Sequence, residues 1–248
     1  MREWLLRAAD DELIIGHRHS EWTGFGPDIE SDVALSSIAQ EEIGHARLFY
    51  EMVCRVDGAG DPDRLAFGRP PGEFRHAVLV ERPNADWGTS LLRLFLYEHF
   101  DRARLEVAAQ STYRPLADLA GALRREEKYH LLFGEAWVRR LGAATEESGE
   151  RMRAALAAVW PDAMDLVEGT EADALLAQSG ALPQTPEALR RAWTEGVAVV
   201  LAESRLPVPE VAPAAEGLRG RRGQHTVDLD ALLGEMTSVR RLDPQARW

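Results

Sequence analysis

Apolar residues recur at gaps of three and four along most of this chain, the rhythm of helices that bury one face. Four long segments carry it, over about 2–22, 28–56, 85–112 and 115–141. Breakers separate them: Thr23-Gly24-Phe25-Gly26-Pro27 after the first, Asp57-Gly58-Ala59-Gly60 after the second, and Gly142 after the fourth. A Pro/Gly-rich loop fills 61–84. A fifth helix is predicted over about 146–159, interrupted near Pro161, and a sixth from Thr185-Pro186-Glu187, an N-cap with proline at the first helical position, to about 205. Leu206-Pro207-Val208-Pro209 ends that helix, a Pro/Ala/Gly/Arg-rich linker follows to Gly223, and 226–241 is helical again. No strand-like alternation persists. The prediction is an all-α chain with a bundle domain over 1–205 and a linker with a tail helix over 206–248.

The informative residues are polar ones on the apolar seams. In the second helix the seam runs Leu35, Ile38, Glu42, His45, Phe49, Met52; in the fourth, Leu116, Ala120, Leu123, Glu127, His130, Gly134, Trp137, Leu141. Each series lies on one face of its helix. An E-x-x-H pair therefore sits inside an apolar stripe twice, and burying such groups without partners costs several kcal/mol. The letters alone are weak evidence, because short motifs recur by chance. Glu73-Phe74-Arg75-His76 has the same spacing beside Pro70-Pro71-Gly72 in a loop, and no role is assigned to it.

The first and third helices each offer a single acid at a comparable depth. Glu98 shares a face with Leu91, Leu94 and Leu105, while Asp101 and Glu106 lie further round and are expected to be solvated. Glu21 shares a face with Ile14 and His17; Asp10, Asp11 and Glu12 compete for its role about two turns earlier. One Glu from each of two helices plus E-x-x-H from each of the other two is the ligand set of ferritin-like di-iron and di-manganese bundles. The spacings from Glu98 to Glu127 and from Glu21 to Glu42 both suit antiparallel neighbours. The expected ligands are thus Glu21, Glu42, His45, Glu98, Glu127 and His130, in a ferritin-like four-helix bundle with additional C-terminal helices. Carboxylates bridge and neutralise two cations, while imidazole suits iron and manganese. Glu41 and Glu126 point sideways and are expected in hydrogen bonds or surface salt bridges. His17 is expected behind the ligands, His19 at the surface, and His99 is not expected to bind metal. A buried salt-bridge network that only sets helix register is the alternative reading of the same six residues.

Composition narrows the setting. The 248 residues are 45% apolar and 28% charged, ordinary for a globular chain. A net charge of −12 argues against binding a nucleic acid backbone. Arg219, Arg221 and Arg222 are the densest cationic cluster, a possible anion site. No apolar run approaches the roughly 20 residues needed to cross a bilayer, and Met1-Arg2-Glu3-Trp4 does not begin a signal peptide, so a cytoplasmic location is expected. The lone Cys54 excludes an internal disulfide and a cysteine-rich zinc site.

Nearly the whole chain resembles the ferritin-like subunits of bacterial phenylacetyl-CoA epoxidase, the ring-activating oxygenase complex of phenylacetate degradation, and its C subunit above all. The similar stretches are Asp11-Glu12-Leu13-Ile14-Ile15-Gly16-His17-Arg18, Leu79-Val80-Glu81-Arg82-Pro83-Asn84, Gly142-Ala143-Ala144-Thr145-Glu146-Glu147-Ser148, Leu206-Pro207-Val208-Pro209, and the tail from Gly223-Gln224-His225-Thr226 through Leu232-Leu233-Gly234-Glu235-Met236. The resemblance implies a place in a dimer or hetero-oligomer with a homologous catalytic ferritin-like subunit, small accessory subunits and a reductase, the complex acting on phenylacetyl-CoA. It also implies that a di-iron centre belongs to the catalytic subunit and that the C subunit is a structural partner with ligand positions partly replaced. This chain departs there: Ser20-Glu21, Glu41-Glu42-Ile43-Gly44-His45 and Glu126-Glu127-Lys128-Tyr129-His130 look like the catalytic subunit's metal motifs. A di-iron site of its own is therefore expected, with manganese as the other metal. The remaining alternatives are a non-catalytic scaffold and an independent di-iron or di-manganese oxidase.

Overall fold

Four side chains start helices by accepting a backbone N–H from the residue three positions on. They are Asp28 from Ser31 (2.7 Å), Asp86 from Thr89 (2.7 Å), Thr145 from Ser148 (3.0 Å) and Thr185 from Ala188 (3.3 Å). Each such cap contributes about 1 kcal/mol and fixes where a loop ends. The computed structural model describes residues 1–210 and 218–243. In chain order the helices are α1 (Arg2–Ser20), α2 (Ile29–Asp57), α3 (Pro62–Phe67), α4 (Val78–Glu81), α5 (Trp87–Ala108), α6 (Arg114–Ala143), α7 (Glu146–Ala163), α8 (Glu171–Gln178), α9 (Pro186–Glu203) and α10 (Val227–Met236). No strand occurs among the described residues. The chain is an all-α, ferritin-like bundle, as its seams predict.

α1 and α2 pack as one hairpin, α5 and α6 as the other, and α2 meets α6 along a narrow edge. α7 and α9 cover the outside of the second hairpin. Two glycines permit close helix approach. A Cβ on Gly16 would lie 3.0 Å from the Cβ of Glu42, and one on Gly134 would lie 2.6 Å from Leu94 Cδ2. The core holds Leu5, Ile14, Phe49, Tyr50, Phe95, Tyr97 and Trp193, all fully buried, and each apolar side chain of this kind stabilises by about 1.5–3 kcal/mol. The Trp193 indole, buried against Trp160, donates to the Leu96 carbonyl at 2.9 Å.

Some helix ends differ from expectation. α1 stops at Ser20, so Glu21 lies beyond its last helical residue. α7 runs through Pro161 to Ala163, because a proline this near the C-terminus removes a single late hydrogen bond. α8, started by Asp173 accepting the Thr170 N–H at 2.8 Å, is too short at 8 residues to show a period. In α1 the apolar rhythm does not mark a single buried face. Every residue from Trp4 to Gly16 is buried, because α8 and α4 close over the side that faces away from α2.

The described part of the tail lies against the bundle. Arg221 reaches the α1 carboxylate of Asp11 at 2.8 Å, and Leu229, Leu232 and Leu233 join the core. The remainder of the expected linker and tail, 211–217 and 244–248, is outside the described residues. No helix among those described is long and apolar enough to cross a membrane.

Candidate metal centre

The three consecutive acids of α1 fan out, as a turn of 100° per residue requires. Asp10 accepts from the Tyr50 hydroxyl at 2.6 Å and pairs with Arg69. Asp11 takes Arg104 (3.1 Å), Arg221 and the Ala77 N–H (2.9 Å). Glu12 points to the bundle axis, one oxygen on Arg104 and the other, Oε2, without a hydrogen-bond partner. There it meets Glu42 and His45 from α2, Glu98 from α5, and Glu127 and His130 from α6.

Two groups form. Glu12, Glu42, His45 and Glu127 bring ligand atoms within 4.8 Å of one another, and so do Glu42, Glu98, Glu127 and His130. Glu42 and Glu127 belong to both. Glu127 faces His45 Nδ1 with one oxygen (2.9 Å) and His130 Nδ1 with the other (3.3 Å). His130 Nδ1 is also 3.5 Å from Glu42 and 3.9 Å from Glu98, while His45 Nδ1 is 3.9 Å from Glu12. The imidazoles lie nearly parallel with centroids 6.2 Å apart. All six residues are buried, none more than 3% exposed.

The far ring nitrogens cross between helices. His45 Nε2 is 2.8 Å from Glu126 on α6, and His130 Nε2 is 2.6 Å from Glu41 on α2. Both outer carboxylates are about half exposed, at 55% and 45% of the side chain. Glu41 and Glu126 are therefore the hydrogen-bond partners that hold each ring with Nδ1 facing inward.

Glu21 is not part of this centre. Its carboxylate is at the surface, bound to Arg18 (2.7 Å) and the Asn84 amide (2.8 Å). Glu12 stands in its place, because the α1–α2 hairpin turns around residues 21–28 and brings residue 12, not residue 21, level with residue 42. Asp101, expected in water, is fully buried on Arg104. His19, expected at the surface, is buried with neither ring nitrogen bonded; burial and then Arg93 push its pKa down to about 3. His99 pairs with Glu135 at 3.1 Å, away from the centre. Arg219 and Arg222 share Glu168 (2.6 and 3.2 Å), and with Arg221 on Asp11 the cationic cluster is already neutralised.

The metal-free electrostatics divide the acids into two kinds. Burial and then the neighbouring Glu42 push Glu12 well above the usual carboxylate range, and burial with Glu127 and Glu42 does the same to Glu98. Burial acts upward on Glu127 and Glu42 too, but the facing His130 and His45 outweigh it at Glu127, as Glu12 and then His130 do at Glu42, and both are held low. Burial opposes charge on the rings, yet Glu127 and its companions raise His45 to about 9 and His130 to about 11. Two imidazolium rings thus offset two carboxylates. Because both histidines titrate higher folded than unfolded, their contribution is complete below about pH 6.5. It is lost as pH rises through 9 and towards 11. Metal-free protein should therefore lose unfolding free energy between pH 7 and 10 in urea titrations. A profile that is flat, or that rises with pH, would contradict the assignment.

Nine buried atoms of the six residues make ion-pair contacts at most and no hydrogen bond among the described residues: Glu12 Oε2, both oxygens of Glu42, Glu98 and Glu127, and Nδ1 of His45 and His130. Orphans of this density, all oxygen or imidazole donors with no thiolate, fit a pair of divalent ions. The buried Glu and His groups are thus able to hold metal.

A family model described as phenylacetic acid catabolic protein matches residues 1–248. The chain belongs to that family. It is also similar to the C subunit of 1,2-phenylacetyl-CoA epoxidase from Escherichia coli (strain K12), with 32% identity over 245 residues, 99% of this chain and 98% of that protein.

Proposed function

We propose that this chain is a subunit of a multicomponent ring 1,2-phenylacetyl-CoA epoxidase and carries its own di-iron centre. The observation that carries the second half is the full set of six converging ligands, Glu12, Glu42, His45, Glu98, Glu127 and His130. The first half rests on family membership and on end-to-end likeness to an epoxidase subunit. Glu42 and Glu127, common to both groups, would help to hold both ions. Glu12 with His45 and Glu98 with His130 would complete the separate halves. Iron held there would supply the redox chemistry that activates dioxygen.

The protein's own share is to aim the rings, balance charge and exclude water. Two dications can replace the protons on Glu12, Glu98, His45 and His130 without leaving net charge in the interior, so binding should tighten as pH rises. Glu41 and Glu126 orient the rings through Nε2. Glu41→Gln or Glu126→Gln should lower metal affinity about 10–100-fold while leaving the helical content unchanged, measured by chelator competition.

The partners on this reading are a homologous catalytic ferritin-like subunit, small accessory subunits and an electron-supplying reductase, with phenylacetyl-CoA as the complex's substrate. Affinity isolation of the tagged full chain from its native host should recover such subunits and ring-epoxidising activity. Isolation of the chain alone, under conditions that preserve its fold, would count against it. A second reading, a non-catalytic partner of the oxygenase subunit, is favoured by the relative being the C subunit. It predicts that complexes rebuilt with Glu42→Ala or His130→Ala keep full activity, whereas the di-iron reading predicts a loss.

A further inference from the structure

Outside the bundle axis, a second set of metal-capable side chains converges. His76 lies between α3 and α4, Glu81 is the last residue of α4, and His225 precedes α10; their ligand atoms lie within 4.8 Å of one another. His76 and Glu81 are fully buried, and the His225 side chain is 3% exposed. His76 Nε2 is 2.6 Å and His225 Nδ1 2.7 Å from the same oxygen, Glu81 Oε2. The two rings stack with centroids 4.3 Å apart.

Outer contacts set the roles of the inner atoms. His225 Nε2 is 3.1 Å from the Phe74 carbonyl, which only accepts, so the ring proton of neutral His225 sits on Nε2. Its Nδ1 lone pair then points at a carboxylate oxygen 2.7 Å away, an arrangement that either a proton or a metal ion between them satisfies. The other oxygen, Glu81 Oε1, is held by the Thr226 N–H at 2.6 Å. A ring N–H given to a backbone carbonyl and a spare carboxylate oxygen tied to a donor are the contacts that surround bound metals. His76 Nδ1 has no hydrogen-bond partner among the described residues, so an Nε2 lone pair leaves a buried N–H unpaired, a cost of about 1–3 kcal/mol that the bond to the ion must offset.

We propose that His76, Glu81 and His225 form a third metal position, for a single divalent ion of the zinc type, that staples the C-terminal segment to the loop before α5. Two imidazole nitrogens and one carboxylate oxygen are a donor set zinc accepts, with water in the fourth place. Zinc–nitrogen bonds of about 2.0–2.1 Å put tetrahedral ligand atoms roughly 3.3 Å apart, so the Glu81 carboxylate must withdraw by less than about 1 Å. The ion joins residues 144 positions apart in the chain and shares no ligand with the bundle centre.

A proton is the competing occupant, making His225 an imidazolium, and zinc titration separates the two. The metal-stripped full chain should take up one more zinc ion than His225→Gln or His76→Gln, and Glu127→Ala should retain that extra ion. Amide exchange across 226–233 should slow about 100-fold at zinc a hundred times its dissociation constant, in the parent and not in the variants. Equal zinc uptake by parent and both variants, with no slowing of exchange, overturns the proposal. Should the variants misfold, a zinc-edge anomalous difference map of the zinc-soaked parent decides it. A peak among His76, Glu81 and His225 supports the staple, and no peak there defeats it. Neither outcome bears on the bundle centre, whose ligands are different residues.

Discussion

Glu127→Ala should take metal from both halves of the bundle centre, reducing a content of about two ions per chain to well under one. Glu127 is the residue whose two oxygens face both imidazoles, at 2.9 and 3.3 Å, and it belongs to both ligand groups. Its loss should weaken affinity by more than the roughly 10–100-fold expected for a hydrogen-bond partner of a ligand. It also leaves two buried rings without their principal counter-charge, so the vacated site cannot keep both protonated. Glu21→Ala is the matched control, because that carboxylate is at the surface on Arg18 and Asn84. Elemental analysis of iron-loaded protein, with helical content checked by circular dichroism, should show loss for Glu127→Ala and none for Glu21→Ala. Equal metal content in both would remove Glu127 from the centre.

Arg104→Met should be the most destabilising single change among the charged residues. The guanidinium is 4% exposed and contacts Asp11, Glu12 and Asp101 together. Even with it present, burial pushes Asp101 up to about 7. Removing one partner of a buried charge network typically costs about 3–5 kcal/mol, and here Glu12 and Asp101 would remain buried without their cation while Asp11 keeps Arg221. For a chain of this size that corresponds to a drop of roughly 10 °C in Tm. Removing the cation raises Glu12 and Asp101 further, so the deficit should shrink as pH falls and they protonate. Arg2→Met, which breaks an exposed pair with Asp57, should cost less than about 1 kcal/mol. Thermal unfolding of the three proteins checks this, and equal losses for the two variants would contradict it.

The E-x-x-H pairs on α2 and α6 are legible in the sequence because each of those helices buries one face, so polar letters on an apolar stripe stand out. Glu98 is legible for a related reason, flanked at helical spacing by leucines. Glu12 is not. α1 is buried on every side, so no stripe marks which of Asp10, Asp11 and Glu12 turns to the axis. The tail and short helices that close over it are fixed by distant contacts such as Arg221 on Asp11. Pairing residue 21 with residue 42 also presumes a shorter connection than the α1–α2 hairpin has. A comparable spacing supplies the missing signal: Glu12 precedes Glu42 by 30 residues and Glu98 precedes Glu127 by 29, so the two hairpins repeat one geometry. His76 and Glu81 carry no local signal because their partner, His225, is far along the chain.

Iron-edge anomalous scattering from crystals of the iron-loaded full chain would locate the ions themselves. Two peaks are expected on the bundle axis, one among Glu12, Glu42, His45 and Glu127 and the other among Glu42, Glu98, Glu127 and His130. An axis without peaks, or iron bound only at the surface beside Glu21, would contradict a di-iron centre in this chain.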